Sequence, residues 1–328
     1  MSANQSDSGD TSANDGISLP RPVRFWLLIL FDIPAAICSF TILICLLANR
    51  KDRHALRNHV IIVLLTVCLG PLLIDIPFYI AFIVNSGVVK PSVPTTCMTW
   101  WFANIAIFNS QQVIIAWTSV ERHILIFYDR WLRSKRGKFF AHYLPLILIL
   151  TYLVIFYVYA FFLYPCENTF DYTTPFCNAD PCYHKAPIIR TWDLILNNIV
   201  PAILEPIVSM ALIIRVIRQK QRLSQGVDWR KRRKMVSQLT LISFINLSLI
   251  LPVNIFLLAR LFGLPRNYGA DVMSYFYFFE YFLPLLIPYV FISSISGTLR
   301  KVKSIFQRGQ REISVVRITR IMNRTIQQ

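Results

Sequence analysis

The sequence predicts an all-α protein: a seven-transmembrane helix bundle with its N-terminus outside and a short amphipathic eighth helix inside. Three observations carry that prediction. First, apolar residues make up 55% of the 328-residue chain and charged residues only 16%, in clumps, whereas an average soluble domain carries about 25% charged residues. Second, apolar runs recur at 23–48, 59–84, 98–127, 139–164, 191–214, 235–262 and 271–296, each at or beyond the roughly 20 residues that a span needs. Barrel strands alternate over about 10 residues, and lipid admits no spanning form other than helix or closed barrel. Third, Lys and Arg are segregated. With alternate connectors assigned to alternate sides, seven lie on the side of the N-terminus, 26 lie on the opposite side, and Arg122 makes up the total of 34. Positive residues stay cytoplasmic, so the start of the chain is outside and its end inside. The same segregation explains the net charge of +17 without nucleic acid.

In chain order, residues 1–22 form a Ser/Asn/Asp-rich extracellular tail, expected to be disordered. Asn4-Gln5-Ser6 within it fits a glycosylation acceptor. No basic start with a short apolar core precedes the first run, so that run is expected to act as the insertion signal. The bundle occupies 23–296. Its second run, VIIVLLTVCLGPLLIDIPFYIAFIV, is apolar almost all round apart from Asp75. The third begins at Cys97 and carries Glu121, Arg122 and His123 near its end. These positions are 25 residues apart from Cys97 to Arg122, about 37 Å of helix against a hydrocarbon core of roughly 30 Å. Ionisable groups inside a span are functional-site candidates by default. The fifth run holds Pro201 and Pro206 around Glu205, the sixth Pro252 and the seventh Pro288; prolines kink helices because the ring removes a donor and clashes with the preceding turn. Residues 297–328 form a cytoplasmic amphipathic helix and basic tail. Leu299, Val302, Ile305 and Phe306 recur there at helical spacing between basic residues, as a helix on an anionic leaflet requires.

Cysteine placement supports the topology independently of charge. Cys38, Cys45 and Cys68 fall inside runs as small buried residues. Cys97, Cys166, Cys177 and Cys182 all map to the outer, oxidising side, where disulfides persist. Four cysteines allow three pairings, and joining Cys97 to the loop CENTFDYTTPFCNADPC ties that loop over the mouth of the bundle.

Seven runs, a cysteine atop the third and Glu121-Arg122-His123 at its foot resemble the rhodopsin-like (class A) G-protein-coupled receptors, over roughly residues 23–306. The family motif is acidic-Arg-aromatic, with His here in place of the usual Tyr. The resemblance implies that Glu121 holds Arg122 at rest, that the inner end of the sixth helix swings outward on activation, and that the exposed Arg122 then meets a heterotrimeric G protein. It implies a bridge from Cys97 to Cys177 or Cys182, with Cys166 among the remaining paired loop cysteines. Pro201, Pro252 and Pro288 match the family's helix kinks, and Asn58 is in place. The chain also departs from the pattern. Cys68 stands where the family has a sodium-binding Asp, Ile287 and Phe291 replace an Asn and a Tyr around Pro288, Ile250 replaces a common Trp, and the inner end of the sixth run offers Arg232 rather than an acid. A divergent branch without sodium modulation is implied.

By family placement the ligand pocket gathers Asp75, Asn104, Phe108, Asp193, Asn254, Tyr277, Glu280 and Tyr281. Acids among aromatics suit a ligand bearing a cation; the competing reading is that the acids only bond neighbouring helices. The seventh run has no Lys for a retinal Schiff base, and Asn104 replaces the Asp of aminergic receptors. The long cysteine-rich loop favours an extracellular peptide ligand. The partners implied are therefore that ligand, a heterotrimeric G protein and the lipids of the plasma membrane, with no nucleic acid. No cofactor or metal is implied, and no HExxH, GxSxG or P-loop motif points to an enzyme. The alternative reading is a polytopic transporter or channel using the intramembrane acids, for which no repeat between halves is seen.

Overall fold

The computed structural model describes residues 19–222, 228–265 and 268–292. Asn4, the amphipathic stretch 297–306 and the basic tail lie outside the described residues. Among the described residues the regular structure is all helical, with no strand. Five helices have the length and composition to cross a membrane: α1 (Arg21–Ala48), α2 (Leu56–Val84), α4 (Lys135–Leu163), α5 (Pro187–Arg218) and α7 (Val272–Ile292). A bent pair, Val236–Leu249 and Leu251–Leu261, makes a sixth, α6. The third helix, α3, runs without interruption through Pro94–Trp101, Phe102–Ile107 and Phe108–Phe127. It is as long as its neighbours but more polar, because it carries Asn104, Asn109, Gln111, Gln112, Glu121 and Arg122.

Patterning on α1 shows what surrounds these helices. Leu28, Ala35, Ile42 and Leu46 are buried on one face, while Trp26, Leu30, Ile33, Ile37, Phe40 and Ile44 are exposed on the other, also at helical spacing. A helix apolar all round is either buried in protein or lies in lipid, and the exposed stripe selects lipid. α4 repeats the pattern with Ile147, Leu148, Val154, Ile155 and Phe162.

α3 is central and packs on α2, α4, α5 and α6. Gly70 permits a close approach to α2: a Cβ there would fall 2.7 Å from Ile107 Cγ2. The apolar core is layered along the helices. Trp100, Trp101, Tyr157 and Tyr183 fill the end that carries the disulfides, Ile42, Leu64, Leu65, Ile114 and Ile287 the middle, and Ile126, Leu212, Val216 and Leu239 the Arg122 end. α6 bends by 45° at Ile250, two residues before Pro252, whose ring displaces the carbonyl one turn earlier. Pro201 and Pro288 lie within helical runs, and α7 is interrupted by a turn at Tyr281 rather than at Pro288. Wide π-type turns hold Asp75, Asn104 and Asp193; such turns are frequent where a helix presents functional side chains.

Candidate functional site

Cys97 is bridged to Cys177 and Cys166 to Cys182, each with Cα atoms 5.8 Å apart. The first bridge ties the loop to the first turns of α3, and the second closes the loop on itself. Trp101 Nε1 donates to the Phe176 carbonyl and Val89 N–H to that of Tyr172. Between these anchors Phe176, Cys177, Asn178 and Ala179 hold φ from 39° to 78°, a left-handed run that costs of order 1 kcal/mol or more per residue. The run turns the Phe176 ring inward. It stacks on Tyr79 at 5.7 Å and Tyr281 at 6.2 Å, and leans on Trp100 at 5.2 Å.

Directly below lies Asp75, 2% exposed. Its carboxylate accepts from Trp100 Nε1 at 2.7 Å, Asn104 Nδ2 at 3.0 Å and Tyr281 OH at 3.2 Å, so α2, α3 and α7 meet on one acid. Arg24 Nη1 donates to Tyr79 OH at 2.9 Å beside it. Glu280 is half-buried one residue from Tyr281, and Asp75 is its charged neighbour. Asn254 is buried with neither amide atom hydrogen-bonded among the described residues, Phe108 packs against the middle core, and Tyr277 is 38% exposed.

Asp193 belongs to a separate node. It accepts from Tyr157 OH at 2.8 Å, Tyr183 OH at 2.9 Å and Asn197 Nδ2 at 2.9 Å, which ties α4, the loop and α5 together. Burial and the adjacent Asp193 push the Tyr183 phenol well above its usual value. Burial also lowers His184, against the opposing pull of Asp193 and Asp180. The eight positions grouped by family placement therefore divide: Asp75, Asn104 and Tyr281 are joined by hydrogen bonds, and Asp193 is saturated by tyrosines and an amide. Trp100 is the closest donor to Asp75, and its only mark in the sequence is an indole at helical spacing from Asn104.

In the middle of the structure Glu205, 0% exposed, accepts from Ser243 at 2.6 Å, Ser209 at 2.9 Å, Ser119 at 3.2 Å and Asn246 Nδ2 at 3.3 Å. Those donors come from α3, α5 and α6. Among the described residues Glu205 has no cationic partner.

At the far end of α3 the expected grip of Glu121 on Arg122 is replaced. Glu121 Oε1 meets His142 Nδ1 of α4 at 2.5 Å, and Glu121 Oε2 has no hydrogen-bond partner. Arg122 Nη2 donates to the Arg57 carbonyl at 2.9 Å and forms no ion pair among the described residues. The physical reason is direction: consecutive residues on a helix point about 100° apart, so Glu121 faces α4 while Arg122 faces the entry to α2. Glu121 still acts on Arg122 through its field. His123 Nε2 stands 2.9 Å from Arg215 Nη1 of α5, and Arg215 lies 4.1 Å over the Phe127 ring.

The fold defines a class: an all-helical protein whose several apolar helices make it a multi-pass membrane protein. No protein-family model matches the chain, and no curated protein matches it.

Proposed function

We propose that the chain is a divergent rhodopsin-like G-protein-coupled receptor of the plasma membrane. In this reading α3 is a seventh span, the disulfide end is extracellular, and ligand binding drives α6 outward so that Arg122 contacts a G protein. The observation that carries the reading is one uninterrupted helix with a loop disulfide at Cys97 and a buried Arg122 25 residues on. The 45° bend of α6 and the polar Glu205 contacts that hold its inner half to α3 and α5 supply a segment with two arrangements for a ligand to bias.

The ligand site in this reading lies under Phe176 and is bounded by Asp75, Tyr281 and Glu280. Asp75 is already committed to three donors, which leaves Glu280 as the acid for a cation on the ligand, such as the amine or basic side chain of a peptide. Nucleotide exchange on added heterotrimeric G protein, screened with peptides and amines, tests the reading. Ligand-dependent exchange that Arg122→Ala abolishes at unchanged surface abundance is the expected result. Normal coupling by Arg122→Ala, or ion flux through the purified chain without any G protein, would overturn it in favour of a carrier.

A further inference from the structure

The Glu205 node gathers oxygens from three helices around one acid. Glu205 Oε1 draws three hydroxyls: Ser243 at 2.6 Å, Ser209 at 2.9 Å and Ser119 at 3.2 Å, and Ser209 Oγ lies 3.2 Å from Ser119 Oγ. Asn246 Nδ2 donates to Oε2 at 3.3 Å. All five residues are buried. Among the described residues every hydrogen-bond partner of the carboxylate is a neutral side chain. Burying a carboxylate without a cation is costly, and neutral donors offset only part of that cost. A second observation points to the same place. Asn246 is 1% exposed, and its Oδ1 has no hydrogen-bond partner. Two carboxylate oxygens, three hydroxyl oxygens and one amide oxygen thus converge from α3, α5 and α6.

We propose that Glu205, Ser119, Ser209, Ser243 and Asn246 hold a dehydrated monovalent cation of sodium's size, which ties α6 to α3 and α5. An all-oxygen donor set selects a hard ion, and among the described residues no cluster of three His, Cys, Asp or Glu offers a softer site. Charge selects the valence. One carboxylate balances one positive charge, and a divalent ion would leave a second charge unpaired in a buried site, at a large cost. Spacing selects the size. The oxygen–oxygen separations run from 2.6 to 3.2 Å. Sodium is close to Ca²⁺ in size, whose oxygens lie at about 2.3–2.6 Å, so right-angled ligands stand about 3.3–3.7 Å apart. The cluster needs to open by a few tenths of an ångström for sodium and by more for potassium. Each serine can turn its hydrogen to the carbonyl one turn earlier in its own helix. Ser119 Oγ already lies 3.5 Å from the Ile115 carbonyl, and a turn of the Asn246 amide presents Oδ1 to the ion.

Polar groups also mark a way in. Toward the disulfide end Asn198 Nδ2 of α5 donates to Asn109 Oδ1 of α3 at 3.2 Å. On α3 Gln112 falls within the arc of about 80° between Asn109 and Ser119, and Asn254 lies about two turns above Asn246 on α6. Gln112 and Asn254 are both buried with neither amide atom hydrogen-bonded. Buried amides of this kind are places for water, and a cation can trade that water for the oxygens at Glu205. The site shares no residue with the Cys68 position on α2, and it needs neither the receptor reading nor an orientation in the membrane. An ion gripped by three helices is held only while they stay together, so it stabilises this arrangement of α6 and leaves when α6 moves away.

The test follows thermal unfolding of the full-length protein in nanodiscs, in sodium chloride against choline chloride at one pH and one ionic strength, with potassium chloride as the size control. No ligand or G protein is required. The folding equilibrium should rise with sodium and, above half-saturation, approach a tenfold gain for each tenfold rise in concentration. Potassium should act about tenfold or more weakly. Glu205→Gln should abolish the sodium response. Ser119→Ala should raise the half-saturating concentration about tenfold, and Cys68→Ala should leave it unchanged. Equal midpoints in sodium, potassium and choline would overturn the proposal. So would a sodium response that survives Glu205→Gln, or one that is lost in Cys68→Ala and therefore belongs to α2. If Glu205→Gln fails to fold, Ser119→Ala decides: a half-saturating concentration that does not move refutes the site.

Discussion

Ser243→Ala is the sharpest perturbation of the polar node that joins α6 to α3 and α5. Ser243 Oγ is the closest donor to Glu205, at 2.6 Å, in a site where Ser243 is 7% exposed and Glu205 fully buried. Taking one donor from a buried carboxyl leaves part of it unsatisfied, at a cost of about 1–3 kcal/mol. Removing the hydroxyl should therefore destabilise the protein by about 2 kcal/mol in the Glu205 background. In a Glu205→Ala background the hydroxyl no longer meets a carboxyl, and the same change costs about 1 kcal/mol. The double-mutant coupling is then about 1 kcal/mol, above the few tenths expected for independent sites. At roughly 2 °C per kcal/mol for a chain of this size, Ser243→Ala lowers the melting midpoint by about 4 °C. Intrinsic fluorescence of the purified protein in nanodiscs reads it. Thr240→Ala, whose hydroxyl bonds its own helix on an exposed face, is the control and should stay within about 0.5 kcal/mol. A coupling indistinguishable from zero would refute the claim that Glu205 binds α6.

Other outcomes follow from the disulfide end. Asp75→Asn should cost about 2 kcal/mol, because the new amide sets a donor against those of Trp100 or Asn104; a melting midpoint unchanged by the substitution would contradict the geometry. Cys97→Ser opens a bridge between residues 80 apart in sequence and should cost about 2–5 kcal/mol, read as lost surface abundance. His184 is held below its usual range by burial, so the folded loop binds fewer protons than the unfolded one. Its contribution to stability is whole above about pH 6.5 and shrinks as pH falls below that. Loop cysteines should become accessible to reductant sooner at pH 5 than at pH 7, and His184→Gln should flatten the difference. Glu280→Gln should leave folding intact and weaken any cationic ligand about tenfold or more, measured by competition binding.

Much of the architecture was legible in the chain because apolar runs of membrane length leave few alternatives. The helices begin and end near the predicted runs, although α3 starts at Pro94 and α5 at Pro187, each a few residues early; a proline at the first helical turn favours such a start. Cys97 stood out through its position, but only the fold chose Cys177 over Cys182. The sequence exposed Glu121 and Arg122 as neighbours, and adjacency misled: their side chains leave the helix in different directions, and His142, 21 residues away, completes the site. Ser119, Ser209 and Ser243 were invisible for a related reason. A lone serine in an apolar run says nothing until three helices turn it toward the same carboxylate. Asp193 looked like a pocket acid because sequence shows charge and not the three donors that satisfy it.

The inward Phe176 ring works as a shutter above Asp75. In the receptor reading, a ligand that enters from that end must pass the Phe176 ring where it stacks on Tyr79 and Tyr281. On that reading, trimming the ring in Phe176→Ala should widen the range of ligands bound, without touching any group that recognises their charge.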